Sequence, residues 1–241
     1  MEKVSYNDGK PSALNDNTYK TLTEVIAPEV ADEEYKISSV VHYPFVDMAE
    51  EDETQDTRIV KGNLHVSGIE STNLQDWNLY NLIIDGDLII DGDLDWAESG
   101  NGSFILVTGN LKARNVIIWG NAELVVMGDV DVENTIFCFE GDDGGFLTVK
   151  GNVRAGFIIC TTYFNVNLAN QPQGILIADD DEDIIGYEAD YVYLEDEDDE
   201  DDPRHYNNIF IEYYLEDGLI NERALREALI AGKPFTKKKT E

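Results

Sequence analysis

Three histidines (His42, His65 and His205) and two cysteines (Cys138 and Cys160) are the residue types best suited to metal or nucleophilic chemistry, but their spacing supports neither. No histidine has a Cys or a second His at zinc-ligand spacing, and the chain lacks a Gly-x-Ser-x-Gly elbow and a phosphate-binding glycine loop. A nucleophilic thiol needs a basic neighbour to lower its pKa, whereas these cysteines adjoin Phe137, Phe139, Ile159 and Thr161. Free cysteine is among the most buried residue types, so the pair is expected to be inert core thiols in neighbouring structural repeats. The 50 Asp and Glu are too numerous for any one pair to point to glycoside cleavage. The chain therefore reads as a non-enzyme with no metal and no cofactor.

The chemistry that does stand out is recognition. The segment from Asp179 to Asp202 carries 15 acids and no base, with one run at 179–183 and a longer one at 195–202. The longer run has no glycine for the sharp turn of a calcium loop, and like charges in a block repel and extend. Tyr187, Tyr191, Tyr193 and Tyr206 punctuate or follow these acids. Tyrosine buries much area at little entropic cost, and carboxylates steer a basic partner. The expected partner-binding set is thus Asp180, Glu182, Tyr187, Glu188, Tyr191, Tyr193, Glu195, Asp198 and Tyr206. The competing reading of the same stretch is a solvated loop beside short strands.

These residues need a scaffold, and the composition supplies one. The net charge is −33, yet 42% of the chain is apolar, which suits a packed core with charge held outside it. Such a surface repels phosphate backbones and anionic bilayers, so the natural partner is a basic protein rather than nucleic acid or membrane. The first residues lack the pattern of a signal peptide, which makes the cytoplasm the expected location. Charge divides the chain: residues 1–56 hold 14 acids and 4 bases, 57–178 hold 15 and 6, and 179–241 hold 21 and 7.

The least charged of these segments, 57–178, repeats. Gly62-Asn63-Leu64, Gly86-Asp87-Leu88, Gly109-Asn110-Leu111, Gly128-Asp129-Val130 and Gly151-Asn152-Val153 follow one another at intervals of 24, 23, 19 and 23 residues. Val60, Ile84, Val107, Val126 and Val149 precede the glycines by two, and Val66, Ile90, Ala113, Val132 and Ala155 follow by four. Columns two apart mark strands with one buried face, and the intervals carry no helical pattern. The fold class expected is all-β, a right-handed parallel β-helix of about five coils stacking ~4.8 Å apart. Gly62, Gly86, Gly109, Gly128 and Gly151 become its corners, where positive φ is anticipated. Alternating Asn63, Asp87, Asn110, Asp129 and Asn152 would ladder along the axis without placing like charges on adjacent rungs. Three later segments, 116–118, 136–138 and 157–159, supply another wall. Lys112, Arg114 and Arg154 form a small basic stripe that balances local acids.

Solenoid ends need covering, so residues 1–56 are assigned to an α/β N-terminal cap, 57–170 to the β-helix and 171–241 to a C-terminal cap. A helix is expected near 221–231, with Asn221 at its start, Leu225 and Leu229 on one face, and Gly232 and Pro234 beyond its end.

The segments 106–113 and 147–155 resemble the repeats of bactofilin-type, polymer-forming β-helix proteins. They also resemble acidic β-solenoid proteins of bacteria, some of which serve as immunity partners of polymorphic toxins. The resemblance covers about residues 57–160. It implies either an immunity protein that blocks a toxin such as a nuclease, or a self-assembling structural scaffold. The acidic flanks favour the first, as a monomer or small homo-oligomer.

Overall fold

A computed structural model describes residues 3–4, 6–7, 10–15, 18–42, 56–70, 79–140, 145–178, 184–192 and 203–237. The described chain is mostly strand and winds as a parallel β-solenoid of about five turns. Each coil contributes to three walls. The first wall precedes the corner glycine and stacks Asp56–Lys61, Leu79–Asp85, the ends of Asp93–Val107 and Leu111–Val126, then Phe146–Val149 and Asn165–Leu168. The second wall follows the glycine and stacks Leu64–Val66, Leu88–Ile90 and the starts of the strands that begin at Leu111, Val130 and Val153. The third wall includes 115–119, 135–139, 157–160, Gln173–Ala178 and Tyr191–Val192.

Alternation decides what lies inside. Val60, Ile84, Val107, Val126 and Val149 from the first wall meet Leu64, Leu88, Leu111, Val130 and Val153 from the second, all essentially inaccessible. Cys138 and Cys160 face each other in register on adjacent rungs of the third wall, both buried and unbridged, as expected. Burial pushes the Cys138 thiol far up in pKa, away from the reactive thiolate.

The corners differ from expectation in their cause. Gly62 has a φ of 100° and Gly86, at 158°, is close to extended, but Gly109, Gly128 and Gly151 do not adopt positive φ. Glycine is required there because successive corners touch. A Cβ on Gly109 would lie 2.7 Å from the Gly86 carbonyl, and one on Gly128 would lie 2.6 Å from the Gly109 oxygen. The same backbones are hydrogen bonded, Gly109 N donating to Gly86 O at 2.9 Å and Gly128 N to Gly109 O at 2.9 Å. Close approach along the axis, rather than a left-handed turn, thus selects these residues.

The neighbouring Asn/Asp column ladders as anticipated. Asp87 Oδ1 accepts from Asn110 N at 2.8 Å and Asn110 Nδ2 at 3.1 Å, and Asp129 Oδ1 accepts from Asn152 N at 2.8 Å and Asn152 Nδ2 at 3.0 Å. Asn63 Oδ1 and Asn110 Oδ1 accept from the next backbone N–H in the same way.

One boundary moves. The solenoid does not stop at 170: Gln173–Ala178 pairs with the strand ending at Cys160, and Tyr191–Val192 adds a further rung. The flanks also do more than close the ends. At the first coil, Leu14, Tyr19 and Leu22 enter the main core, and Arg58 donates to Thr23 Oγ1 at 2.6 Å while lying over the Tyr19 ring. Helix α1 (Tyr19–Leu22) belongs to this plug. Helix α2 (Pro28–Tyr35) instead lies alongside, where Ala31, Ile37 and Val41 cover the outward Ile59, Ile83, Leu106 and Val125 of the first wall. The C-terminal segment runs along the third wall in the same manner, with Tyr206, Phe210, Leu225, Leu229 and Phe235 over Ile117, Phe137, Ile159 and Ile177. It is a lateral buttress because those outward positions are themselves apolar and need cover.

Helix α3 (Glu222–Ile230) falls where the sequence placed it. Asn221 Oδ1 accepts from Ala224 N at 3.0 Å, and the solenoid completes the other end through Arg114 and Asn115, which donate to the Ile230 and Leu229 carbonyls.

Candidate functional site

Five members of the expected binding set, Asp180, Glu182, Tyr193, Glu195 and Asp198, lie outside the described residues. The other four are brought to the last rungs of the solenoid but are not equivalent. Tyr187 is half-buried against the main core and Tyr191 half-buried under the C-terminal segment. Glu188 is exposed and loosely paired with Arg204 at 3.7 Å. Tyr206 must be corrected: it is fully buried, edge-on to Phe210, and has no surface to give a partner. The sequence pattern misled here because an apolar outer wall, invisible as such in a run of acids, claims that ring for packing.

Among the described residues, the tyrosines that face solvent are others. Tyr163 is 73% exposed and Tyr213 75%. Both adjoin the start of α3. Thr161 and Thr162, beside Tyr163, donate to Glu222 Oε1 at 2.5 Å each, and the Tyr214 carbonyl, beside Tyr213, accepts from Asn221 N at 2.9 Å. A two-strand hairpin, Leu215–Glu216 with Leu219–Ile220, turns through Asp217 and Gly218 at φ 53° and 84°, the positive pair of a type I′ turn. It presents Glu216 and Asp217 to solvent next to Glu212. An exposed ring such as Tyr213, with exposed carboxylates close to it in sequence, fits the recognition of cationic protein groups. Tyr163 was missed because it falls in a coil-to-coil turn with no acids near it in sequence.

A second surface is the outer face of the second wall. His65, Ile89, Lys112, Asp131 and Arg154 stand in register along it. They line a shallow groove of about 610 Å³ formed by solenoid residues alone. Two members of the basic stripe are paired, Arg154 with Asp131 at 2.7 Å and Arg114 with Asp93 through both arms, while Lys112 shares the groove with the acids Asp91, Asp131 and Glu133; His65 contacts Asp91 at 2.9 Å. The Asp93 bonds hold the Arg114 guanidinium above its ordinary pKa. This wall therefore offers no unbalanced cationic patch to an anionic polymer.

Buried charge marks where the flanks are pinned. Arg226 of α3 grips the buried Asp95 through two nitrogens and lies over the Trp119 ring. On the first wall, the buried Glu123 carboxylate accepts from His42 N at 2.9 Å and contacts His42 Nδ1 at 2.9 Å, while the His42 ring stacks on Phe146. Among the described residues, no group of three or more His, Cys, Asp or Glu converges as a metal site. No described helix is long and apolar enough to cross a membrane.

Fold and surface together define the class, a parallel β-solenoid buttressed along two walls. Comparison with known proteins finds no matching family model, no matching curated protein and no matching solved structure.

Proposed function

We propose that this chain is a non-enzymatic binding protein that neutralises a basic protein partner, most concretely an immunity protein that occludes a bacterial toxin such as a nuclease in the cytoplasm. The observation that carries the reading is the surface around the start of α3, where Tyr163 and Tyr213 are exposed and where Glu212, Glu216 and Asp217, close to Tyr213 in sequence, are exposed as well. The overall charge of −33 supplies long-range attraction, and the rigid ring of Tyr213 supplies a short-range anchor. The last rung, with Tyr187 and Glu188 between the two acidic runs, extends the same surface chemistry.

The alternative of axial self-assembly asks for free sheet edges. At the first coil those edges are occupied, Asp56–Lys61 by antiparallel Glu24–Val25 and Leu64–Val66 by Lys3–Val4.

The test uses the protein encoded next to this gene. Association is measured by stopped flow at low and high salt for wild type, for Glu212→Lys/Glu216→Lys and for Asp180→Lys/Glu182→Lys/Glu188→Lys. At least one set is expected to slow association tenfold or more at low salt and much less at high salt, and Tyr213→Ala is expected to hasten dissociation. Unchanged rates in both sets, or no complex, would reject the proposal.

A further inference from the structure

The turns that lead from the third wall back to the first form a column of their own. Cys138 pairs with Cys160 and Phe146 with Asn165, a register that sets Glu140 one rung before Thr162, ~4.8 Å along the axis. Thr162 and Tyr163, at φ 49° and 58°, are the central residues of a turn closed by Phe164 N donating to Thr161 O at 3.4 Å. Such a turn favours Asn, Asp and Gly, as in the hairpin at Asp217 and Gly218, and a β-branched or aromatic residue at positive φ is strained. The strained turn is held from both sides: Phe164 is fully buried, and the hydroxyls of Thr161 and Thr162 donate to Glu222. Thr162 is explained by that bond. Tyr163 is not, because its side chain is 73% exposed and makes no hydrogen bond, ion pair or ring contact among the described residues. Backbone strain kept under a ring that packs on nothing is the mark of a surface built for contact.

The chemistry beside the ring selects what it meets. Glu140 is exposed and unpaired among the described residues. The connector it opens, 140–145, has three acids in sequence and no base. A flat ring next to a carboxylate suits a group that is planar, cationic and rich in N–H donors, able to stack on the one and donate to the other. Guanidinium is that group, whereas an ammonium is more strongly hydrated and has no plane to stack. Resting on the binding of a basic protein proposed above, we infer that Tyr163 and Glu140 form the docking point for an arginine side chain of that partner. The turn held by Glu222 fixes the ring before contact, which lowers the entropy lost on binding.

The probe is the protein encoded next to this gene, with dissociation of the complex followed for Tyr163→Gly, Tyr163→Leu, Tyr163→Phe and Glu140→Gln, alongside thermal unfolding of each free variant. Tyr163→Gly relieves the positive φ, so it should unfold no lower than wild type and yet shorten the lifetime of the complex at least tenfold. Tyr163→Leu, which keeps apolar bulk but no ring face, should shorten it as much, Tyr163→Phe should stay within threefold, and Glu140→Gln should shorten it about fivefold. One partner arginine should be shielded from phenylglyoxal in the wild-type complex, read by mass spectrometry, and become reactive in the Tyr163→Gly complex. A complex whose lifetime ignores Tyr163→Gly, equal lifetimes for the Leu and Phe variants, or no shielded arginine overturns this assignment and leaves the basic-partner reading standing. Unfolding of Tyr163→Gly below wild type would make the ring a structural one and overturn it too, and no complex at all rejects both.

Discussion

The second and third walls are cut from the same coils, yet one is bare and the other buttressed. At the third wall the outward positions read Ile117, Phe137, Ile159 and Ile177, and the C-terminal segment buries them. At the second they read Lys112, Asp131 and Arg154, paired where they can be and open to solvent. The inward residues are apolar on both, aliphatic for the most part, with Trp96, Cys138 and Cys160 added on the third. What a wall becomes is therefore decided by alternate residues on its outer face, and the interior only makes the coil.

Substitutions can break this contrast in graded steps. Phe137→Ala, at the centre of the buttressed wall and stacked on Phe139, should cost about 4 kcal/mol in urea unfolding and loosen the C-terminal segment to protease. Gly128→Ala tests the corner shared by all walls. Its added methyl would meet the Gly109 backbone, and a loss of about 3 kcal/mol is expected even though the backbone dihedral tolerates alanine. Asp129→Ala removes the acceptor for two Asn152 nitrogens and should cost about 1 kcal/mol, while Asp129→Asn keeps an acceptor and should be near neutral. Arg154→Ala on the bare wall, in a pair 66% and 42% exposed, should change stability by less than about 0.5 kcal/mol. A ranking with Arg154 above Phe137 would overturn the contrast.

Much of the scaffold was legible because the repeat leaves its mark at every coil. Gly-Asx-Leu/Val at near-constant spacing locates the corners, the flanking aliphatic columns locate two walls, and Asn221 with Leu225 and Leu229 locates α3. The register of Cys138 with Cys160 follows from a separation of one coil. The far boundary was not legible, since the coil after Gly151 turns through Asn170-Gln171-Pro172 and lacks the corner glycine, although its strands Asn165–Leu168 and Gln173–Ala178 pair normally. The place of the flanks was hidden for a different reason. Apolar residues at both odd and even positions of one strand, as in Val116-Ile117-Ile118, signal a wall buried on both faces, but not which distant segment covers it. Among the surface residues, single tyrosines near the acidic runs did not reveal their exposure, because exposure is set by packing partners far away in sequence.

A solenoid whose coils touch only their neighbours has no intrinsic length, yet this chain carries its own ruler. The C-terminal segment is tied at Asp95 by Arg226, at Arg114 through the Ile230 carbonyl, at Thr161 and Thr162 by Glu222, and at Val192 by the rung with His205. These ties span the stack from an early coil to the last. Duplicating a 23-residue unit between Gly128 and Gly151 would satisfy every contact between coils, but it would pull Thr161 a full rung away from Glu222. Coil number in this molecule is thus counted from outside the stack, and an inserted or deleted repeat must be matched by a change in a segment that is not itself repetitive.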